Sequence, residues 1–404
     1  MPRPPRALAH DAPTVSSAAR PSPVRNGPRR AAIAACIAVG LAANACGAAP
    51  TAVVVVEDDD PGLPPTPTYT ATQEAFAANV NPLSGLPSDT AEIAARRPRA
   101  VAIEVPLGAN GAGPSGVQTT EVVFWSLVPA PAPGVTEAPS GTLRLTALTL
   151  EPPEGGAAIG PLGPVDPVAV EVARSFGASV TAASATEAVA EALRAADIAL
   201  TRVSGRAAGG AGQGSDAAGG ALAETTPAGP PPEPPRWGYS ESPLGKLDRP
   251  AESVTLSPPG GTPVVVRLDR VLGVWRLGWG APSGASGSAG SAGSAGPDAP
   301  AATLADIGTG EPLAVANVVV LTLPASDPAT GDLGWHGEGP ALVLRDGVAQ
   351  SGRWLRGVPD QPFGLIDGDG LAVALRPGNT WVVLVPGGTG VEVDDGGMFP
   401  DGGP

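Results

Sequence analysis

Residues able to do chemistry are scarce in this chain of 404 residues. It holds two cysteines, Cys36 and Cys46, and two histidines, His10 and His336. His10 and Cys36 fall in an N-terminal leader, which leaves Cys46 and His336 to the mature chain. One cysteine and one histidine give no zinc cluster, and no Cys–His nucleophile pair is announced. A Ser-His-Asp set would have to use His336, within Gly334-Trp335-His336-Gly337, which reads as a solvent-facing loop tip. Asp367-Gly368-Asp369-Gly370 has part of a calcium loop but lacks the remaining ligands and the closing Glu, so it reads as a hairpin turn. The Gly-rich stretches lack the Lys-Ser/Thr pair of a phosphate loop. Paired carboxylates could serve glycoside hydrolysis, but acids are so numerous here that adjacency carries no signal. The expectation is a non-catalytic protein with no catalytic, cofactor-binding or metal-binding residues and no cofactor.

Cys46 is the residue with a chemical role. Residues 31–45 form an apolar run directly after Arg29-Arg30, with a small-residue exit, which are the marks of a secretory signal. The run is shorter than the roughly 20 residues of a membrane-spanning helix. It ends at Ala43-Asn44-Ala45-Cys46-Gly47, similar to a bacterial lipobox in which the Cys is diacylated and becomes the mature N-terminus. The expected partner is therefore a membrane, reached through lipid at Cys46, and the expected location is extracytoplasmic, on the bacterial cell membrane. Behind Cys46 come Val53–Val56, then Glu57-Asp58-Asp59-Asp60 and a Pro/Thr stretch. Consecutive carboxylates on such a chain read as solubilising charge, and the segment reads as a tether.

Charge narrows the partners further. The leader carries six arginines and one acid; without it, 18 bases face 38 acids, a net charge of −20. Nucleic acid would repel such a chain, so neither DNA nor RNA is an expected partner.

The elements that must position any site are split by low-complexity sequence. Glycine and proline number 56 and 50, about a quarter of the chain, and aromatic residues only 3%. Residues 1–45 read as signal, 46–73 as tether and 74–202 as an α/β N-terminal domain. In the latter, Arg99–Val105, Glu121–Val128 and Thr142–Leu150 read as strands, and Pro167–Phe176 and Ala185–Ala196 as helices. Asp166-Pro167 supplies a cap and first turn for the first helix. Residues 203–235 lack apolar periodicity and read as a disordered linker. Residues 236–394 read as a β-rich antiparallel domain with a flexible loop at 281–300, and 395–404 as a tail. Its strand candidates are Ser253–Leu256, Val264–Leu268, Gly273–Trp279, Ala316–Thr322, Ala341–Arg345, Ser351–Leu355, Leu371–Leu375 and Thr380–Val385. The expected class is thus α+β. Six of the seven tryptophans lie in this second part, where core packing is preferred to a carbohydrate platform.

Several of these residues carry a resemblance. Leu313–Leu321 contains an Asn-Val-Val-Val strand; Gly339–Gly347 and Gly352-Arg353-Trp354 form an Asp-Gly hairpin with a Gly-x-Trp return; Pro377-Gly378-Asn379-Thr380-Trp381 is a closing turn. Upstream stand Asn81-Pro82-Leu83-Ser84-Gly85-Leu86-Pro87, Arg97-Pro98 and Glu121-Val122-Val123-Phe124. Together these resemble the YerB-like bacterial lipoproteins, which carry domain of unknown function 3048. The resemblance implies a Gly-Pro-(Ile or Val)-Arg-Ser-Ala-Arg-Pro stretch after the third strand. Here the aligned stretch is Gly160-Pro161-Leu162-Gly163-Pro164-Val165-Asp166-Pro167, without both arginines and the serine. A Pro-His-Asn segment of the family falls where this chain has only low-complexity sequence. A polar ligand site of the relatives is then expected to be lost. The expected role is non-catalytic binding or scaffolding of an unknown envelope ligand or protein, with a carboxylate-using, wall-polymer hydrolase-like enzyme as the alternative.

Overall fold

The computed structural model describes residues 79–90, 93–106, 113–127, 142–151, 158–203, 237–242, 249–279, 302–324 and 333–396. The leader, Cys46, the acidic tether and the stretches 204–235 and 281–300 lie outside the described residues.

Before the 204–235 stretch the elements are β1 (Arg99–Pro106), β2 (Val122–Ser126), β3 (Thr142–Thr149), α1 (Pro167–Phe176), β4 (Ser179–Ala182), α2 (Glu187–Ala195) and β5 (Leu200–Arg202). After it come β6 (Arg249–Pro250), β7 (Ser253–Ser257), β8 (Val264–Asp269), β9 (Val274–Trp279), β10 (Ala302–Thr303) and β11 (Ala314–Val315). The last six are β12 (Asn317–Leu323), β13 (Gly337–Arg345), β14 (Val348–Arg356), β15 (Gly364–Ile366), β16 (Thr380–Pro386) and β17 (Gly390–Asp394).

These strands make two sheets. The larger runs β15-β14-β13-β12-β16-β2-β3-β1-β4-β5, with β6 beside β14; the smaller runs β10-β9-β8-β7-β17, with β11 beside β9. At the centre of the larger sheet, β16 pairs in parallel with both β12 and β2. Strands buried on both faces read as unbroken apolar runs. Asn317-Val-Val-Val-Leu-Thr-Leu323 and Trp381-Val-Val-Leu-Val385 are such runs. Their side chains alternate between faces: Val319, Leu321 and Leu323 join one core, Val318 and Val320 the other. The first core is closed by α1 and α2, the second by the smaller sheet through Val254, Leu256, Val264, Val266, Trp275 and Leu277. A large sheet is thereby covered on both faces, giving three layers.

Helix α1 has the bounds that its periodicity predicts. The Asp166 side chain accepts from Ala169 N at 2.8 Å, Pro167 opens the first turn and Gly177, at φ 58°, ends it.

The α+β expectation is corrected. Of the described residues, 46% lie in strands or bridges and 11% are helical, so the protein is a β protein carrying two helices. The mixed α/β layer expected of the first part is the end of a sheet that continues into β16 and β12, and the second part is not purely antiparallel. Local periodicity finds strands and helices but is blind to pairing partners far apart in sequence. The expected strand at Leu371–Leu375 is instead irregular chain with isolated bridges at Ala372 and Leu375.

Candidate functional site

The described residue with the most unusual surroundings is Glu121, at the foot of β2. Its carbonyl accepts from Thr380 N at 2.9 Å, which fixes it beside the start of β16. The turn Asn81–Pro87 folds over it. Asn81 O accepts from Ser84 N and Gly85 N, and Asn81 Oδ1 accepts from Leu83 N at 2.9 Å. Gly85 has φ 69°, and a Cβ there would lie 2.4 Å from Cγ of Tyr239, so the left-handed geometry and the close approach both require glycine.

Asn81 Nδ2 then donates to Glu121 Oε1 at 2.7 Å, and the Leu150 and Glu151 amides donate to the same oxygen at 3.1 and 3.2 Å. Oε2 is buried and takes no hydrogen bond among the described residues. Burial raises the pKa of Glu121 above the usual carboxylate range, with Thr149 and Asn81 offsetting part of the rise. Nearby, Tyr239 accepts from Trp237 Nε1 at 2.9 Å and faces Pro82 O; burial pushes its phenol up as well. The Ser88 hydroxyl donates to Glu151 Oε1. A buried carboxyl held toward its neutral form has the properties of a general acid. It equally pins the 79–88 turn to the sheet.

Sequence reasoning quotes Glu121 as part of a motif but not as a site residue. The available signal is an acid directly ahead of Val122-Val123-Phe124-Trp125, a run that must be buried.

The other residues weighed from sequence fall as follows. Cys46 lies outside the described residues. His336 is exposed at the head of β13. Asp367 closes a turn on itself, accepting from the Asp369 and Leu371 amides at 2.9 and 2.8 Å. Among the described residues no group of three or more His, Cys, Asp or Glu could hold a metal. Trp125, Trp237, Trp275, Trp335, Trp354 and Trp381 are all buried, so they form core and no carbohydrate platform. Phe124, Phe176, Trp237, Phe363 and Trp335 contact one another in a closed circuit, with centroids 4.8 to 5.9 Å apart.

In Gly160–Pro167, Gly163 N donates to Ala102 O at 2.9 Å, and a Cβ on Gly163 would lie 2.5 Å from Cβ of Glu104. Asp166 is absorbed as the cap of α1; burial raises its pKa, which the Arg144 charge partly opposes.

Comparison with known proteins accords with this architecture. Residues 299–382 match the family model described as "Protein of unknown function (DUF3048) C-terminal domain". The crystal structure of YerB from Bacillus subtilis superposes with a TM-score of 0.56 at 15% identity, covering 78% of this chain and 99% of that one. Residues 299–382 are thus similar to the DUF3048 C-terminal domain, and the chain shares its fold with YerB. At that identity the likeness to YerB is one of fold. No curated protein matches the chain by sequence.

The motifs that carry the resemblance can be read physically. Asp346 and Gly347, at φ 52° and 77°, form the two-residue turn that joins β13 to β14. Asn317 Nδ2 donates to Arg376 O and to the Thr380 hydroxyl, while its Oδ1 accepts from Arg376 N at 2.8 Å. Trp354 Nε1 donates to Thr322 O at 3.0 Å. A Cβ on Gly352 would lie 2.2 Å from Ile366 O, so only glycine lets β15 approach. Each of these signature residues is occupied in holding strands together.

Proposed function

We propose that the chain is a lipid-anchored extracytoplasmic protein that binds or scaffolds at the bacterial cell envelope without catalysing a reaction. The observation carrying this reading is the use made of the family's residues. Asn317, Asp346-Gly347, Gly352 and Trp354 hold the sheet, and the stretch matching the family's Arg-Ser-Ala-Arg is backbone packed on β1 plus a helix cap. Anchoring rests on the leader and on Cys46. One acyl chain binds membranes only marginally and two bind stably. Replacing Cys46→Ser should therefore move the protein from the membrane fraction to the soluble one. Retention of the unprocessed variant in the membrane would overturn the lipid anchor. A pull-down of the mature protein from envelope extracts should return a partner.

One observation favours a second reading, a carboxylate-using enzyme of the envelope. Glu121 combines burial, a raised pKa and a carboxyl oxygen with no hydrogen bond among the described residues. Screening hydrolysis of wall polymers separates the two. Turnover that disappears in a folded Glu121→Gln protein would replace binding with catalysis.

A further inference from the structure

Glycine follows aspartate at four places among the described residues: Asp346-Gly347, Asp367-Gly368, Asp369-Gly370 and Asp395-Gly396. Such a pair is open to attack by the glycine nitrogen on the aspartate carboxyl carbon, because glycine has no Cβ to hinder the approach. The sequence makes the four alike. The structure does not.

Three of them are held. At Asp346, Arg345 Nε donates to Oδ2 at 2.6 Å and Arg376 Nη1 stands 3.5 Å from Oδ1, so both carboxylate oxygens face a guanidinium. At Asp367, Oδ1 accepts from the amides of Asp369 and Leu371 at 2.9 and 2.8 Å, which points the carboxyl past Gly368. At Asp395 the nucleophile is engaged instead: Gly396 N donates to Asp394 Oδ1 at 2.9 Å, and Gly396 is crowded by Glu252 and Arg270.

Asp369 differs on each count. It is exposed, and its carboxylate takes no hydrogen bond and no ion pair among the described residues. Gly370 N donates to Asp367 O at 3.2 Å, the longest hydrogen bond in this turn. A Cβ on Gly368 or on Gly370 would meet nothing within 4 Å, so the backbone around Asp369 has room to rearrange.

We propose that Asp369 is a site of covalent self-modification, at which the folded chain converts the Asp369–Gly370 bond to an isoaspartyl linkage. The Gly370 nitrogen forms a bond to Asp369 Cγ; one carboxyl oxygen leaves as water, taking the amide proton and a proton from solvent. The product is a cyclic imide. Water then cleaves the bond between that nitrogen and the main-chain carbonyl carbon of Asp369. This frees a main-chain carboxylate, returns the proton and routes the backbone through Cβ and Cγ. One water is released and one consumed, with no oxidant or reductant. The longer backbone disturbs the pairing around Asp367, whose amide donates to Leu371 O at 2.8 Å and which precedes the Ile366–Ala372 bridge.

The test is to age the full chain at neutral pH in water enriched in heavy oxygen, once folded and once in urea, then fragment its peptides to place the label and the isoaspartate. Site assignment keeps apart Asn110-Gly111 and Asp401-Gly402, which lie outside the described residues. In the folded chain Asp369 should take up label first, and Asp346, Asp367 and Asp395 should stay as aspartate. In urea the four should react alike, because the holds on the other three are gone. Asp369→Glu, which keeps the charge but cannot close a five-membered ring, should lose the product at this position and retain the native circular dichroism. A folded chain that modifies all four pairs alike, or Asp346 or Asp367 ahead of Asp369, would overturn the proposal. So would a folded chain in which Asp369 stays intact while the urea sample reacts.

Discussion

Glu121 contributes to stability in a pH-dependent way whose sign follows from its burial. Its folded pKa is raised above the ordinary 4.5, so the fold favours the protonated form. That contribution is complete below the unfolded pKa and is lost as pH rises through the folded one. Glu121→Gln keeps an oxygen for Asn81, Leu150 and Glu151 while removing the charge. The variant should unfold at higher denaturant than the native chain above the folded pKa, by about 1–3 kcal/mol, and show no gain at pH 4. Denaturant titrations at pH 4 and 8 check this; equal stabilities at pH 8 would contradict it. Glu121→Ala should lose stability at both pH values, because two buried donors, Asn81 Nδ2 and Leu150 N, and the half-buried Glu151 N are left without an acceptor. At this scale the sequence was legible in part. The Asn81–Pro87 and Glu121–Phe124 segments stood out as a pair of motifs. Their meeting through one carboxyl oxygen was not readable, because 40 residues separate Asn81 from Glu121.

Among the elements, local chemistry predicted well what is locally determined. Asp166-Pro167 and Gly177 bound α1 at Pro167–Phe176, since caps act within one turn. Strands β1, β3, β8 and β16 came within a residue or so of their expected bounds for a similar reason, as β-branched runs ended by turn residues. Short strands with little apolar content, such as β17, gave no signal. The loop ahead of α1 offers a sharp test of close packing. Gly163 is pressed against Glu104 so tightly that a methyl group needs β1 to move. Gly163→Ala should cost about 1–3 kcal/mol by overpacking, whereas Gly238→Ala, which meets nothing within 4 Å, should cost far less. Thermal unfolding of the two variants makes the comparison, and equal midpoints would show that β1 yields freely. Asp166→Ala should lose about 1 kcal/mol with the cap.

The whole molecule departs most from what periodicity alone conveys. Residues on both sides of the 204–235 stretch are interleaved in one sheet: β2 from the first side pairs with β16 from the second along Val122–Ser126. Both cores draw on both sides as well. Phe124 packs on Trp335 at 5.7 Å, and Trp125 on Trp381 at 6.0 Å. Separating the two sides of the 204–235 stretch would therefore expose the β2 edge together with two large aromatic side chains on opposite faces. Exposed flat apolar edges aggregate. Expressed alone, residues 74–202 should be insoluble or lack a cooperative transition. Co-expressed with residues 236–404, they should associate and restore a dispersed spectrum, because the parallel β2–β16 ladder needs both partners and no covalent link between them. The uncut chain should unfold in one transition by circular dichroism and by tryptophan fluorescence alike. A soluble 74–202 fragment with its own cooperative unfolding would show instead that β3 and the helices suffice to hold β2, and that the two sides of the sheet are stable apart.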